Sequence, residues 1–141
     1  MTERRVLLDT GPLVALLAKN DSNHRLCVET LARLPPPLLT CWPVITEAAW
    51  LLRRQQRPLD RIAEALAAGM FYLLPLGTDD LGGIASIMSR YETSHIQLAD
   101  AALAWLADRE NISTLFTLDR RDFSIIRLKR NRALRLLPEV Q

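Results

Sequence analysis

The sequence predicts an α/β fold in which a short, mostly parallel central sheet lies between layers of helices. Short apolar runs alternate with helical patterns along all 141 residues, and such alternation is typical of βαβ units. The first run, residues 6–8, is only three residues long and ends in turn-forming residues, as expected of a buried parallel strand. Right-handed crossovers would cover both faces of the sheet and leave ligand sites beyond the carboxyl ends of the strands.

Five segments have the composition of strands. Each is short, rich in apolar, β-branched or aromatic residues, and close to Pro, Gly or Asp. They cover residues 6–8, 38–41, 71–75, 114–117 and 134–137. Asp9 and Asp119 follow the first and fourth of these segments. We therefore expect both carboxylates at the carboxyl edge of the sheet.

Helical patterns fill the intervals between these strands. Pro12, Pro43 and Pro58 suit the first turn of a helix, where a missing backbone N–H costs nothing. The predicted helices cover residues 12–18, 22–34, 43–54 and 58–68, and two more begin near residues 78 and 94. The helix near residue 94 rests on capping-box spacing from Ser94 to Gln97. Its apolar stripe would contain Ile96, Ala99, Leu103, Leu106 and Ala107, with Asp100 among them.

Composition narrows the class of protein. The chain is 49% hydrophobic and 24% charged, which is typical of a globular protein, and its length fits one domain over residues 1–141. Cys27 and Cys41 match neither a redox pair nor a zinc site, so both are expected in the core. With no membrane segment and no signal peptide, a cytoplasmic location is expected. A net charge of +2 does not by itself indicate nucleic-acid binding.

Four carboxylates lie where the predicted fold would bring them together. Asp9 and Asp119 end strands, whereas Glu47 and Asp100 interrupt the apolar faces of two helices. Buried charges are rare unless they are paired or bind a metal. Carboxylates about 4 Å apart would repel one another by roughly 4 kcal/mol per pair at an effective dielectric near 20. Oxygen ligands without His or Cys select hard ions, so Mg²⁺ or Mn²⁺ is predicted.

Such an ion can activate water and neutralise developing charge on a phosphoryl oxygen. Taken singly, each acid also has a structural explanation as a helix cap, a salt-bridge partner or a turn residue. Thr10 and Thr117 flank the acids and would bond either a site carboxylate or their own turn. Asp122 has an accessory role or, as the sequence favours, caps a segment that begins at Phe123.

Other residues carry weaker signals. His24 and His95 have no partner at a diagnostic spacing, so neither is expected to act in catalysis. Trp42, Trp50 and Trp105 are expected mostly in the core, although Trp50, one turn from Glu47, would alternatively line a groove. The stretch after the last acidic motif is basic and would form either a phosphate-binding rim or a solvated face. It contains Arg120, Arg121, Arg127, Lys129, Arg130, Arg132 and Arg135.

Four motifs together resemble PIN-domain ribonucleases, and VapC-like toxins within them. They are LDTGPL at residues 8–13, Glu47 on a mid-chain helix, ADAA at 99–102 and TLDRRDF at 117–123. The resemblance implies a three-layer αβα fold and RNA hydrolysis with Mg²⁺ or Mn²⁺. It also implies frequent homodimers and neutralisation by a small co-expressed antitoxin. The acidic quartet of the family, which binds the metal and acts in catalysis, would be Asp9, Glu47, Asp100 and Asp119.

The chain departs from the family pattern at two places. Two residues separate Asp119 from Asp122 where many relatives have one, and no glycine follows the Glu47 helix. Three alternatives to a toxin remain: a PIN nuclease for housekeeping RNA processing, a non-catalytic binding module, and a phosphatase with an aspartyl nucleophile. The phosphatase is disfavoured because Gly11 stands where a dehalogenase-type enzyme has a second Asp.

Overall fold

A five-stranded parallel sheet forms the centre of the computed structural model, which describes residues 4–139. The strands in chain order are β1 (Val6–Leu8), β2 (Leu38–Thr40), β3 (Phe71–Leu73), β4 (Thr114–Phe116), β5 (Arg127–Leu128), β6 (Arg132–Ala133) and β7 (Arg135–Leu137). The sheet order is β3-β2-β1-β4-β7, and every neighbouring pair is parallel. Strands β5 and β6 form a separate antiparallel hairpin.

Strands β1 and β4 lie side by side, although more than a hundred residues separate them. Leu7 is in register with Leu115, and both strands are buried throughout. The chain first moves outward from β1 to β3 and then returns to the other side of β1. The carboxyl ends of β1 and β4 therefore form the switch point at which open α/β sheets bind ligands.

Helices cover both faces of this sheet, so the predicted three-layer architecture is confirmed. They are α1 (Thr10–Leu17), α2 (His24–Leu31), α3 (Trp42–Leu51), α4 (Pro58–Ala67), α5 (Leu81–Arg90), α6 (Leu98–Arg109) and α7 (Arg120–Ile125). Helix α1 packs against α2 and α3, whereas α6 packs against α5 and α3. Among the helices of residues 4–139, none is long and apolar enough to cross a membrane.

Helix α6 is the most buried helix and carries the predicted stripe. Its buried face includes Ala99, Leu103, Leu106 and Ala107, each at most 3% exposed. Asp100 lies on the same face and is 6% exposed. Both cysteines are fully buried, as predicted. The structure therefore confirms that Asp100 is a buried polar residue on the apolar face of α6.

The start of α6 differs from the prediction. Ser94 lies in a single 3-10 turn that His95 ends with a φ of 56°. The helix begins one turn later, at Leu98, because Gln97 is extended and its N–H donates to Asp100 Oδ2 at 2.9 Å. The predicted helix near residue 78 is likewise preceded by a 3-10 turn, Thr78–Asp80. In both places an aspartate carboxylate, Asp80 or Asp100, accepts the N–H of the residue three positions before it and so caps the turn.

The C-terminal part contains two elements that the sequence did not predict, namely helix α7 and the β5–β6 hairpin. Asp119 is the N-cap of α7, and its Oδ1 accepts from the Asp122 N–H at 3.2 Å. The favoured interpretation of Asp122 as a cap is therefore wrong. The β5–β6 hairpin was missed as well, because its strands are only two residues long and lie among charged residues.

The prediction that the tryptophans lie mostly in the core is wrong for two of the three. Trp42 and Trp50 on α3 are 61% and 65% exposed. The buried face of α3 is formed by Val44, Ile45 and Ala48, and the two indoles lie outside it. Trp105 is partly buried against the core. Helix α3 therefore presents aromatic rings to solvent.

Candidate active site

Asp9 and Thr117 meet at the carboxyl ends of β1 and β4. The Thr117 hydroxyl donates to Asp9 Oδ2 at 2.7 Å, and the Asp119 N–H donates to Thr117 Oγ1 at 2.9 Å. Both Asp9 and Thr117 are buried. The pairing of the two strands thus fixes the Asp9 carboxylate and ties the loop of Asp119 to it.

Three further carboxylates converge beside this pair. Asp100, Asp119 and Asp122 each offer an oxygen, and these oxygens lie within 4.8 Å of one another. Asp100 comes from the first turn of α6, whereas the other two come from the start of α7. The sequence placed Asp100 and Asp119 at one site, and the structure brings them together. Asp122 joins them through its side chain.

Glu47 reaches the group from α3, on its flank. Its side chain is half-buried, and its charge raises the pKa of Asp9. We call Asp9, Glu47, Asp100, Asp119 and Asp122 the acidic cluster. All four residues of the predicted quartet therefore belong to one cluster, with Glu47 at its edge.

Burial and neighbouring like charges raise the pKa values of two carboxyls of the cluster, Asp9 and Asp100. Burial raises the pKa of Asp9 to about 6, and the Thr117 hydroxyl only partly opposes the rise. Burial likewise raises the pKa of Asp100 to about 7, and the charges of Asp9, Asp119 and Asp122 add to it. In the described part of the chain, no Lys or Arg forms an ion pair with Asp9 or Asp100. These two carboxyls thus have like charges nearby and no cationic partner among the described residues.

Thr10 supplies an independent sign that a ligand belongs here. It follows Asp9 directly, it is 3% exposed, and its Oγ1 has no hydrogen-bond partner. Leaving a buried hydroxyl unsatisfied costs about 1 to 3 kcal/mol. An oxygen-only donor set with surplus negative charge and an unsatisfied hydroxyl fits a hard divalent cation with its water ligands.

The two histidines lie outside the cluster. His24 Nδ1 is 2.7 Å from the carbonyl oxygen of Ala15. His95 is exposed at the end of its 3-10 turn. Both findings agree with the expectation that neither histidine acts in catalysis.

Four arginines of the basic stretch, which we expect to contact RNA, differ in their bonding. Arg120 donates to the Pro138 carbonyl oxygen at 2.7 Å, and Arg127 donates to the carbonyls of Ser124 and Ile126. Burial and Asp119 raise the pKa of Asp122, and the charge of Arg121, which is exposed beside it, partly opposes the rise. Arg130 is exposed in the β5–β6 hairpin. Arg121 is therefore the arginine of this set that faces the acidic cluster.

The sequence and the fold both match known proteins. The family model of the PIN domain matches residues 6–129. Ribonuclease VapC26 of Mycobacterium tuberculosis is 30% identical to this chain over 124 residues, which are 86% of this chain and 92% of that protein.

Solved structures with the same fold include two toxin systems. VapC20 of Mycobacterium tuberculosis, a toxin that cleaves the sarcin-ricin loop, superimposes with a TM-score of 0.72 at 19% identity, covering 82% of this chain and 91% of VapC20. A toxin-antitoxin complex from Klebsiella pneumoniae matches with a TM-score of 0.66 at 20% identity, covering 86% and 92%. At these identities the structures show the fold. The family model and the 30% identity to ribonuclease VapC26 establish that the chain belongs to the PIN-domain family.

Proposed function

We propose that this protein is a metal-dependent endoribonuclease and the toxin of a toxin-antitoxin pair. The observation that carries the proposal is the convergence of Asp100, Asp119 and Asp122 within 4.8 Å beside buried Asp9. The likeness to a VapC ribonuclease supplies the substrate class, RNA. A housekeeping PIN nuclease would have the same site. A small antitoxin gene next to the gene for this chain distinguishes the two.

The acidic cluster would hold Mg²⁺ or Mn²⁺. Asp9, Glu47, Asp100 and Asp119 are the proposed ligands and catalytic residues, with Thr10, Thr117 and Asp122 in supporting roles. When bound, the ion supplies Lewis acidity to water and to the phosphoryl group. The preference for these ions rests on the oxygen donors, because hard cations select carboxylates and water.

The surrounding residues position the carboxylates before any ligand arrives. The Thr117 hydroxyl holds Asp9, and the Gln97 N–H holds Asp100. Both carboxylates are therefore fixed in one orientation, which reduces the reorganisation needed when the substrate binds. The unpartnered Thr10 hydroxyl would donate to a water or a phosphoryl oxygen in the site.

Cationic side chains beside the cluster would hold the RNA backbone. Arg121 is the strongest candidate because it is exposed next to Asp122, and Arg130 lies exposed in the hairpin. Arg120 and Arg127 already bond carbonyl oxygens of their own chain, so they would contribute charge more than directed contacts. Such contacts give affinity that does not depend on base sequence.

The proposed partners follow from the same site. An antitoxin would cover the acidic cluster and place a basic side chain among the carboxylates. We further propose that residues 1–141 form one domain, that the protein acts as a homodimer, and that it works in the cytoplasm, where its RNA substrate lies.

The test is cleavage of a pooled RNA library by purified protein in Mg²⁺, in Mn²⁺ and in excess chelator, with the cut sites mapped. Asp119→Asn removes one carboxylate of the cluster, and Asp60→Asn is the matched control because Asp60 is exposed and pairs with Arg57. We expect cuts with metal for the parent and for Asp60→Asn, and loss of cleavage for Asp119→Asn. Full activity in chelator would contradict the proposed mechanism.

A further inference from the structure

An open groove of about 440 Å³ lies on the flank of the acidic cluster. It runs between α3 and the start of α6 and is lined by Trp42, Thr46, Glu47, Trp50, Gln97 and Leu98. Its continuity with the site comes from Glu47, which lines the groove and interacts electrostatically with Asp9. A molecule in the groove would therefore reach the candidate active site directly.

The two indoles of the groove are exposed in a way that a stability role does not explain. They stand at the first and ninth residues of α3, and each shows more than half of its surface to solvent. The Arg53 guanidinium lies 4.0 Å from the Trp50 ring centroid, and its Nη1 donates to the Trp50 carbonyl oxygen at 2.9 Å. The Trp50 ring is thus held in place by a cation stacked on it.

The charge of the groove lining argues against an occupant that brings phosphates into it. Glu47 is the charged residue of the lining, and within the described residues no Lys or Arg lines the groove. Phosphates would be repelled there, whereas flat, uncharged nucleobases can stack on indoles, and Thr46 and Gln97 offer polar groups to their edges. Exposed aromatic rings on which bases stack are typical of proteins that bind single-stranded nucleic acid.

We propose that Trp42 and Trp50 are stacking subsites for unpaired RNA bases that flank the phosphodiester held at the acidic cluster. This inference rests on the proposed ribonuclease function and adds the form of the substrate. The indoles are roughly 12 Å apart along the helix axis, so they would hold two bases that are not stacked on each other. Splayed bases of this kind occur in loops and single strands, not in a regular duplex.

The test uses Trp42→Leu and Trp50→Leu, because leucine keeps an apolar surface and removes the ring. Tyr72→Leu is the matched control, since Tyr72 is 54% exposed on β3 and does not line the groove. With a short RNA that the parent cuts, we expect each Trp variant to lose about ten-fold in kcat/KM, within the range for stacking of one base on an aromatic ring. Tyr72→Leu should match the parent, and Trp→Phe variants should keep most of the activity.

Abasic nucleotides on either side of the cut identify the bases. In the parent, one abasic position should cause a similar ten-fold loss, whereas in the matching Trp variant the same substitution should cause no further loss. Losses that simply multiply would overturn the inference. Equal kcat/KM for all the Trp variants and the parent would overturn it as well.

Two more measurements distinguish base stacking from self-association and from RNA binding without cleavage. Light scattering reports the mass of each variant, and a mass that falls in Trp→Leu would assign the groove to a second copy of the chain and reject base stacking.

The second measurement is RNA binding by the inactive Asp100→Asn protein, which is followed by tryptophan fluorescence. If RNA quenches the fluorescence, the Trp variants lose this quenching and the parent cuts no RNA, the result would support the stacking sites and reject the nuclease function. If the Trp variants cut RNA as fast as the parent, the stacking sites alone would be rejected.

Discussion

Asp80 and Asp100 begin with the same backbone arrangement and end in opposite electrostatic states. The Asp80 carboxylate accepts the N–H of Gly77 at 2.7 Å, and the Asp100 carboxylate accepts the N–H of Gln97 at 2.9 Å. Each bond joins an aspartate to the residue three positions before it. Yet the pKa of Asp80 is lowered, whereas the pKa of Asp100 is raised to about 7.

The difference lies in the neighbours of each carboxylate. Asp80 also accepts from the indole Nε1 of Trp105 at 2.9 Å and from Arg109 at 3.1 Å, so its charge has donors and a cation. Asp100 is buried and faces Asp9, Asp119 and Asp122. The charge of Asp80 is balanced by Arg109 of the same chain, whereas Asp100 has only like charges beside it. This contrast separates a carboxylate that stabilises the fold from one arranged for a ligand.

The largest expected effect is on catalysis. Asp100→Asn should lower kcat/KM for RNA cleavage more than about 100-fold, because loss of a residue that only supports a metal ligand already costs 10- to 100-fold. Asp80→Asn should stay within about three-fold of the parent, since small changes are expected away from the site. The measurement is initial rates on one RNA in Mn²⁺. If the two variants lose activity equally, the contrast between the two aspartates has no functional meaning.

Melting temperatures should move in opposite directions for the same pair of variants. Without metal, Asp100→Asn removes one repelling charge and should melt above the parent, the trade-off expected of a functional site. Asp80→Asn weakens bonds to Trp105 and Arg109 and should melt about 5 °C lower. Mn²⁺ at about 100 times its dissociation constant should stabilise the parent by roughly 2.7 kcal/mol and Asp100→Asn much less.

Thermal melts with chelator and with Mn²⁺, at one protein concentration, check these shifts. A parent that ignores Mn²⁺, together with an Asp100→Asn protein that melts several degrees lower without metal, would make Asp100 a structural ion-pair partner. The acidic cluster would then lose its role as a cation site.

The buried carboxyls Asp9 and Asp100 should also affect the pH dependence of stability in the opposite sense to Asp80. Asp9 and Asp100 have folded pKa values of about 6 and 7, above the ordinary 3.8. Their unfolded forms therefore release protons first, and metal-free stability should fall as pH rises from about 4 to 7, by on the order of a few kcal/mol. Asp80 has a lowered pKa, so the stability it contributes is lost only on acidification below about 4.

Denaturant unfolding between pH 5 and 8 in chelator measures this slope. Asp100→Asn should flatten it, whereas Asp80→Asn should leave it unchanged over this interval. A parent whose stability increases from pH 5 to 8 would mean that Asp9 and Asp100 are not protonated in the fold.

The sequence predicted the parts of the molecule that depend on short-range patterns. Apolar runs located all five strands of the sheet, and the acids at strand ends and on apolar helix faces identified four residues of the cluster. These signals are strong because a buried charge is costly wherever it occurs in a sequence. Proline in the first turn located α3 and α4 almost to the residue.

The remaining features depend on tertiary contacts that no local pattern contains. The start of α6 was missed because Ser94 and Gln97 both precede an acceptable first turn, and the structure makes the cap at Gln97, whose N–H donates to Asp100 Oδ2. Asp122 lies in the first turn of α7, which Asp119 caps, and its carboxylate joins those of Asp100 and Asp119 through contacts between α6 and α7 that no local pattern contains. The exposure of Trp42 was missed, whereas the alternative interpretation of Trp50, a groove beside Glu47, agrees with its place in the structure.

The smallest expected effect concerns the cations beside the cluster, and it compares two neighbouring arginines. Arg121 faces Asp122 and is exposed, whereas Arg120 is bonded to the Pro138 carbonyl oxygen. If Arg121 holds one phosphate, Arg121→Ala should reduce the slope of log affinity against log salt by about 0.7, the value for one contact to a single strand. Arg120→Ala should change this slope less and lower the melting temperature instead, because it leaves a half-buried carbonyl without its donor. Binding of a short RNA to Asp100→Asn protein, measured from low to moderate salt, gives both slopes. Should Arg120→Ala change the slope and Arg121→Ala leave it intact, the RNA backbone would pass on the side of α7 that faces Pro138, away from Asp122.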